Sequence, residues 1–258
     1  MAMATVGQVG ALLLVAGAGM AVWTFGDKDS NTTHEVTDKI SVVRLDSPNA
    51  DVTIKVADVD KTTVQEKRSY WLIKHGDAFE VDGETLKLNG DCGWQCRADF
   101  VVTVPRGTKV TGSNGSGDLS ISGAGGVDTS SRSGKVSLTD VTGDVKLDLT
   151  SGDVEIEGLA GKLEVTANSG DIEAKHLKGG PVNVETTSGD IRLDLDEATD
   201  VRAKGTSSDV EVTAPAGGYK VQTKTHSGEV DNTLGNDPAG GHTIDASTTS
   251  GDVTLAPR

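Results

Sequence analysis

A four-residue signature, Ser-Gly-acid-aliphatic, returns through the second half of this sequence at nearly constant spacing. It stands as Ser116-Gly117-Asp118-Leu119, Ser151-Gly152-Asp153-Val154, Ser169-Gly170-Asp171-Ile172, Ser188-Gly189-Asp190-Ile191 and Ser250-Gly251-Asp252-Val253. Variants occur at Ser133-Gly134-Lys135-Val136, Ser207-Ser208-Asp209-Val210 and Ser227-Gly228-Glu229-Val230. Counted from Ser116, the eight copies lie 17, 18, 18, 19, 19, 20 and 23 residues apart. A fixed period of this length marks an architecture in which one small unit stacks on copies of itself.

The unit 151–168 reads SGDVEIEGLAGKLEVTAN. Val154 and Ile156 alternate with charged residues, Gly158 to Gly161 break the run, and Leu163 and Val165 alternate again. That pattern is two short strands and two turns, with Leu159 filling the corner between them. The next unit repeats it with Ile172, Ala174, Leu177, Val182 and Val184, and the turn Gly179-Gly180-Pro181 absorbs its one extra residue. Five aliphatics cannot offset the ordering of so many residues, so a unit must borrow stability from its neighbours. The expectation is a parallel β-solenoid, all-β, of two-stranded rungs stacked at about 4.8 Å. An antiparallel meander or propeller fits less well, because propeller blades run to about 40 residues with aromatic markers.

Large side chains gather before the regular repeat, where Tyr70, Trp71, Phe79, Trp94 and Phe100 fall within 38–110. That region also carries strand patterns at 51–56, 85–88 and 100–104, irregularly spaced. Because the terminal rungs of a stack would present open strand edges, 38–110 reads as an N-terminal β cap with the first turns, and 111–258 as the regular solenoid.

Ahead of both lies an apolar run, Val6 to Phe25, 20 residues with one amide and no charge. Its length suits a membrane-spanning or signal helix over 1–26, joined by a linker at 27–37. Trp23 suits an interfacial anchor, while Gly19-Met20-Ala21 could serve as a cleavage site. The expected location is the cell membrane, single-pass with the C-terminal domain outside, or secretion after cleavage. Cys92 and Cys96 are the two cysteines; outside the cytoplasm they are expected to pair as a disulfide, in preference to a two-Cys zinc site or free thiols.

All of the formal net charge of −15 lies after residue 26, so nucleic acid is not an expected partner. The repeated acid is the most tempting chemical feature. In stacked rungs Asp118, Asp153, Asp171, Asp190, Asp209, Glu229 and Asp252 would form a column of carboxylates, interrupted by Lys135. Such a ladder could gather Ca²⁺ or another hard cation, whereas Ser-Gly-Asp is also ordinary turn chemistry, with Gly supplying positive φ and Asp bonding nearby backbone. No Gly-x-Ser-x-Gly, His-Glu-x-x-His or phosphate-loop pattern is present, and short rungs leave no long loops to wall a cleft. No catalytic residue and no cofactor are expected. Arg132, Arg192 and Arg202 read as solvated salt-bridge partners, and Tyr219 as a packing residue.

On these repeats the sequence resembles a bacterial putative-adhesin domain family. Residues 83–88, the Cys pair and Asp99-Phe100-Val101-Val102-Thr103-Val104-Pro105-Arg106-Gly107 are similar to its actinobacterial branch. The resemblance covers 38–258 and implies a surface-exposed β-solenoid without catalytic residues. The expected function is a non-catalytic adhesive or structural module that binds a surface protein or a glycan, touching the membrane only through its N-terminal segment. The alternative is the ectodomain of an envelope-stress sensor, which would need a partner protein because so few residues precede the apolar run. A glycan-active β-helix enzyme is a distant third.

Overall fold

The computed structural model describes residues 10–12, 23–25, 28–70, 78–90 and 96–258. Every regular element among them is a strand. Gly10–Leu12 (β1) and Trp23–Phe25 (β2) pair antiparallel as a small separate sheet. A helix was expected over this run, but these described residues are extended; the others of 6–22 lie outside the described set. Four glycines in the run, Gly7, Gly10, Gly17 and Gly19, weaken its helix preference, and Trp23, Thr24 and Phe25 favour strand. No helix among the described residues is long and apolar enough to cross a membrane.

The remaining strands build two large sheets, and from residue 85 onward the chain passes alternately from one to the other. Sheet I receives β4 (Val42–Ser47), β7 (Phe79–Asp82), β8 (Thr85–Leu88), β10 (Lys109–Ser116), β12 (Val127–Ser133), β14 (Val145–Ser151), β16 (Leu163–Ser169), β18 (Val182–Ser188), β20 (Val201–Ser207), β22 (Tyr219–Lys224) and β24 (His242–Ser247). Sheet II receives β3 (Lys28–Val36), β5 (Val52–Ala57), β6 (Thr62–Tyr70), β9 (Cys96–Pro105), β11 (Leu119–Ser122), β13 (Val136–Val141), β15 (Val154–Leu159), β17 (Ile172–Leu177), β19 (Ile191–Leu195), β21 (Val210–Ala214), β23 (Val230–Asn232) and β25 (Val253–Pro257). One sheet I strand and the sheet II strand after it form a rung. From β10 to β21 successive rungs pair in parallel, as the repeat spacing predicts.

Register follows the signature. Ser151 pairs with Ser169, Ser169 with Ser188 and Ser188 with Ser207. Inward positions therefore line up as aliphatic columns: Val136, Val154, Ile172, Ile191 and Val210 on sheet II, and Val127, Val145, Leu163, Val182 and Val201 on sheet I, all buried. Leu159 stacks on Leu177 at the corner, both buried, where a third column closes the core. A one-residue slip would turn every aliphatic outward, so burial fixes the register.

Spatial order departs from chain order at both ends. Sheet I runs β22-β24-β20 at one end and β10-β4-β8-β7 at the other; sheet II runs β23-β25-β21 and β11-β5-β9-β6-β3. The region 38–110 thus supplies two stacked rungs, β4/β5 and β8/β9, with the later one outermost. Antiparallel strands then cover that end, β7 on β8, β6 on β9 and β3 on β6. Under this cover Glu66 and Arg68 form a buried ion pair at 2.5 Å, and Glu66 also accepts the Ala78 N–H at 2.7 Å. At the opposite end the last rung in sequence, β24/β25, lies inside the stack.

Candidate functional site

The repeated acids do form one column, and the geometry shows what they do there. Asp153 Oδ1 accepts the backbone N–H of Asp171 at 3.0 Å, Asp171 that of Asp190 at 2.9 Å, and Asp190 that of Asp209 at 3.1 Å. Asp209 then accepts from Asp252 and Asp252 from Glu229, both at 2.8 Å. Each carboxylate thereby satisfies a turn N–H of the next rung that the sheet ladder does not reach. Asp118 does the same for Lys135 at 2.9 Å, and Lys135, which has no acceptor, interrupts the series. Its Nζ instead pairs with Glu155 at 2.5 Å.

Two members of this column escaped the sequence reading. Asp99 accepts from Asp51, and Asp51 from Asp118, each at 2.9 Å. Their local sequences, Ala50-Asp51-Val52 and Ala98-Asp99-Phe100, keep an acid followed by an apolar residue without Ser-Gly, and that shortened pair was the available signal. A shorter series runs along the opposite corner, where Asp144 accepts from Lys162 and Asp200 from Thr243.

Beside the acid in each Ser-Gly-Asp copy stands a glycine that the stack demands. Gly134, Gly152, Gly170 and Gly189 have φ between +109° and +118°. A Cβ on Gly152 would lie 2.0 Å from the carbonyl oxygen of Gly134, and one on Gly170 2.2 Å from that of Gly152. Both the positive φ and the close approach of successive backbones exclude a side chain. The Ser-Gly-Asp corner is in these respects a stacking device. Among the described residues no group of three or more His, Cys, Asp and Glu side chains could hold a metal ion. Cys92 lies outside the described residues, as does the side chain of Cys96, so the expected disulfide does too.

Charged side chains on the sheet faces are largely paired. Arg192 meets Asp190 at 2.8 Å, and Arg202 meets Glu185 at 3.5 Å. Lys162 and Lys146 flank Glu164 at 2.8 and 3.4 Å and hold its carboxyl below the usual carboxylate range, chiefly through the hydrogen bond from Lys162. His176 sits between Asp196 (3.1 Å) and Glu157 (3.4 Å), but Lys178 and Arg258 share Asp196. Tyr219 is 1% exposed and packs at the end of sheet I, where burial raises its hydroxyl's pKa.

One extended depression crosses these rungs. On the outer face of sheet I two hollows of about 490 and 680 Å³ adjoin at Thr166 and together run from Asp46 to Thr249. Their lining is mostly Ser, Thr, Asn and Gly, including Ser113, Ser130, Thr150, Thr187 and Thr206, with a scatter of both charges, Arg132 among them. No aromatic ring apart from His226 lines it. Behind it, several buried corner positions are polar. Ser131 Oγ, Thr186 Oγ1 and Thr248 Oγ1 each donate to the carbonyl two residues on, at 3.2, 3.1 and 3.3 Å. The sequence shows these hydroxyls, but not that they fall on one face.

Residues 39–256 match the family described as Toastrack DUF4097. No curated protein matches the chain. Three solved structures resemble it at low identity. A putative adhesin from Bacteroides fragilis NCTC 9343 is 13% identical, with 89% of this chain and 97% of that one covered and a TM-score of 0.47. A putative cell adhesion protein from Clostridium sporogenes ATCC 15579 is 12% identical over 90% and 100% of the two chains, with a TM-score of 0.25. A putative adhesin from Parabacteroides merdae ATCC 43184 is 9% identical over 88% and 96%, with a TM-score of 0.30.

Proposed function

The chain belongs to the Toastrack DUF4097 family, and from that premise we propose that it is a non-catalytic binding module of the cell envelope whose recognition face is the depression on sheet I. The observation that carries this reading is the depression's continuity, from Asp46 on β4 to Thr249 beyond β24. A surface that long and shallow suits an extended polymer lying along the stack better than a small molecule, which favours an enclosed and mostly apolar pocket. Hydroxyl and amide groups supply hydrogen bonds without a deep anchor, so each contact is weak and affinity accumulates with length. Surface glycans have that chemistry and are the partner we favour. Envelope placement rests on the apolar run at 6–25, read as an anchor or a signal.

Thr166 and Thr187 are exposed on neighbouring rungs within the depression. Thr166→Arg combined with Thr187→Arg fills it without touching the core. The variant is expected to lose binding to arrayed cell-surface glycans while melting at the temperature of the parent chain. Equal binding by the two chains would remove this face from consideration.

A further inference from the structure

The rung β24/β25 sits one place inside the end of the stack, between β20/β21 and β22/β23. Its neighbours are fixed on both sides: Val201 and Val221 pair with Ile244, and Val210 and Val230 with Val253. Composition accounts for the order. The inserted rung turns Ile244, Ala246, Val253 and Leu255 inward, all fully buried. The outer rung offers Val221, Thr223 and Asn232 at the equivalent places, and its Val230 is 44% exposed. The acid column agrees. Aspartate has the reach to bond the next rung's N–H, and Asp209 and Asp252 both do so, whereas the longer Glu229 falls on the outer rung, beyond which no rung is stacked.

The chain that makes the outer rung is, in length, an insertion. Asp209 and Asp252 stand 43 residues apart, although their rungs are adjacent. Removing the 23 residues 219–241 would bring that separation to 20, the spacing between Ser207 and Ser227. The turn 215–218 leads into Tyr219, which is in register with His242, so it could lead into His242 instead. The segment also blunts its own exposed edge: Asn236 Oδ1 accepts the Val221 N–H at 2.9 Å, and the Asp237 N–H bonds the Tyr219 carbonyl at 2.8 Å.

We propose that residues 219–241 are a removable cover over the edges of β24 and β25, and that a second copy of this chain is what those edges take when the cover is gone. An apolar rung with two unpaired parallel edges is a template for further strands, and an outer rung whose edge is capped by Asn236 and Asp237 is not. The opposite end carries its own cover in β3, β6 and β7, so association would proceed through the uncovered end and stop at a pair.

Two chains test this by sedimentation velocity across a hundredfold range of concentration. The intact chain is expected to remain a monomer. The chain lacking 219–241 is expected to keep its β circular dichroism and to shift toward dimer as concentration rises. A folded deletion chain that stays monomeric throughout would overturn the proposal. If the deletion chain does not fold, the full-length double variant Val221→Asp, Leu234→Asp decides, because it loosens the cover where it packs on the core. Dimer formation by that variant supports the proposal, and a monomer at every concentration refutes it.

Discussion

Asp252 Oδ1 accepts the backbone N–H of Glu229 at 2.8 Å, although Glu229 comes 23 residues earlier in the chain. The carboxylate column therefore follows the order of rungs in space rather than in sequence. It starts at Asp99, passes through Asp51 and Asp118, and ends at Glu229. An acid at this corner serves the rung beyond it, which is why its value to the fold is open to a simple test.

Asp171→Ala leaves the Asp190 N–H without its acceptor, while Asp171→Asn retains an oxygen in the same place. The alanine variant is expected to lose about 1 kcal/mol, and the asparagine variant to stay close to the parent. Urea unfolding monitored by circular dichroism reads both. Equal loss in the two variants would mean that charge, not the hydrogen bond, matters at this corner. Millimolar Ca²⁺ should leave the melting temperature of the parent chain unchanged, and a rise would restore the cation reading of the column.

Gly152→Ala tests the neighbouring position. Its φ of +116° strains any L side chain, and the new Cβ would meet the Gly134 carbonyl oxygen at 2.0 Å. A cost of about 3 kcal/mol or more is expected, well above that of Asp171→Ala. Gly83, with φ +59° and nothing within 4 Å of an added Cβ, is the control and should cost far less when replaced by Ala.

The central rungs were legible because three signals agree there. Between Ser133 and Ser207 the spacing is even, the aliphatic alternation matches the strand period, and each turn has its glycine, so period, burial and turn chemistry dictate the same stack. The ends were not legible. Nothing in a linear repeat says that β24/β25 slips beneath β22/β23, and the cue lay in Thr223 and Asn232, polar residues at inward positions. The depression on sheet I was hidden for a related reason: Thr150, Thr187 and Thr206 read as solvated alternation until stacking places them on one face.

Salt bridges on the sheet faces should respond to pH in a defined sense. Glu164 has its carboxyl held below the usual range by Lys162 and Lys146. A depressed folded-state pKa means the ionised form favours folding, so the contribution is complete above the unfolded value of about 4.3. It disappears as pH falls through the lower folded value. Glu164→Gln is therefore expected to melt slightly below the parent at pH 7, with the gap closing under acid conditions and in 1 M salt, since this carboxylate is only partly buried. A gap independent of pH would assign the effect to packing.

Gly205 and Ser208 form the one corner where the repeat's usual residues are exchanged. Gly205 stands in line with Thr186, where the preceding rungs from β10 onward carry a side chain, and Ser208 stands where those rungs carry glycine. The exchange is compensatory. Ser208 is 5% exposed, and its Oγ would lie 1.6 Å from a Cβ on Gly205, so its hydroxymethyl group occupies the room a side chain at 205 would need. Gly205→Thr alone should be strongly destabilising because two side chains would contend for one space. Ser208→Gly alone should leave a small void. Together they restore the arrangement of the neighbouring rungs, with the introduced threonine hydroxyl free to bond the carbonyl of Ser207 as Thr186 bonds that of Ser188. A double-mutant cycle by urea unfolding is expected to give a favourable coupling of about 1 to 3 kcal/mol. Additive losses would show that the two positions do not share that space, and that the exchange at this rung has some other cause.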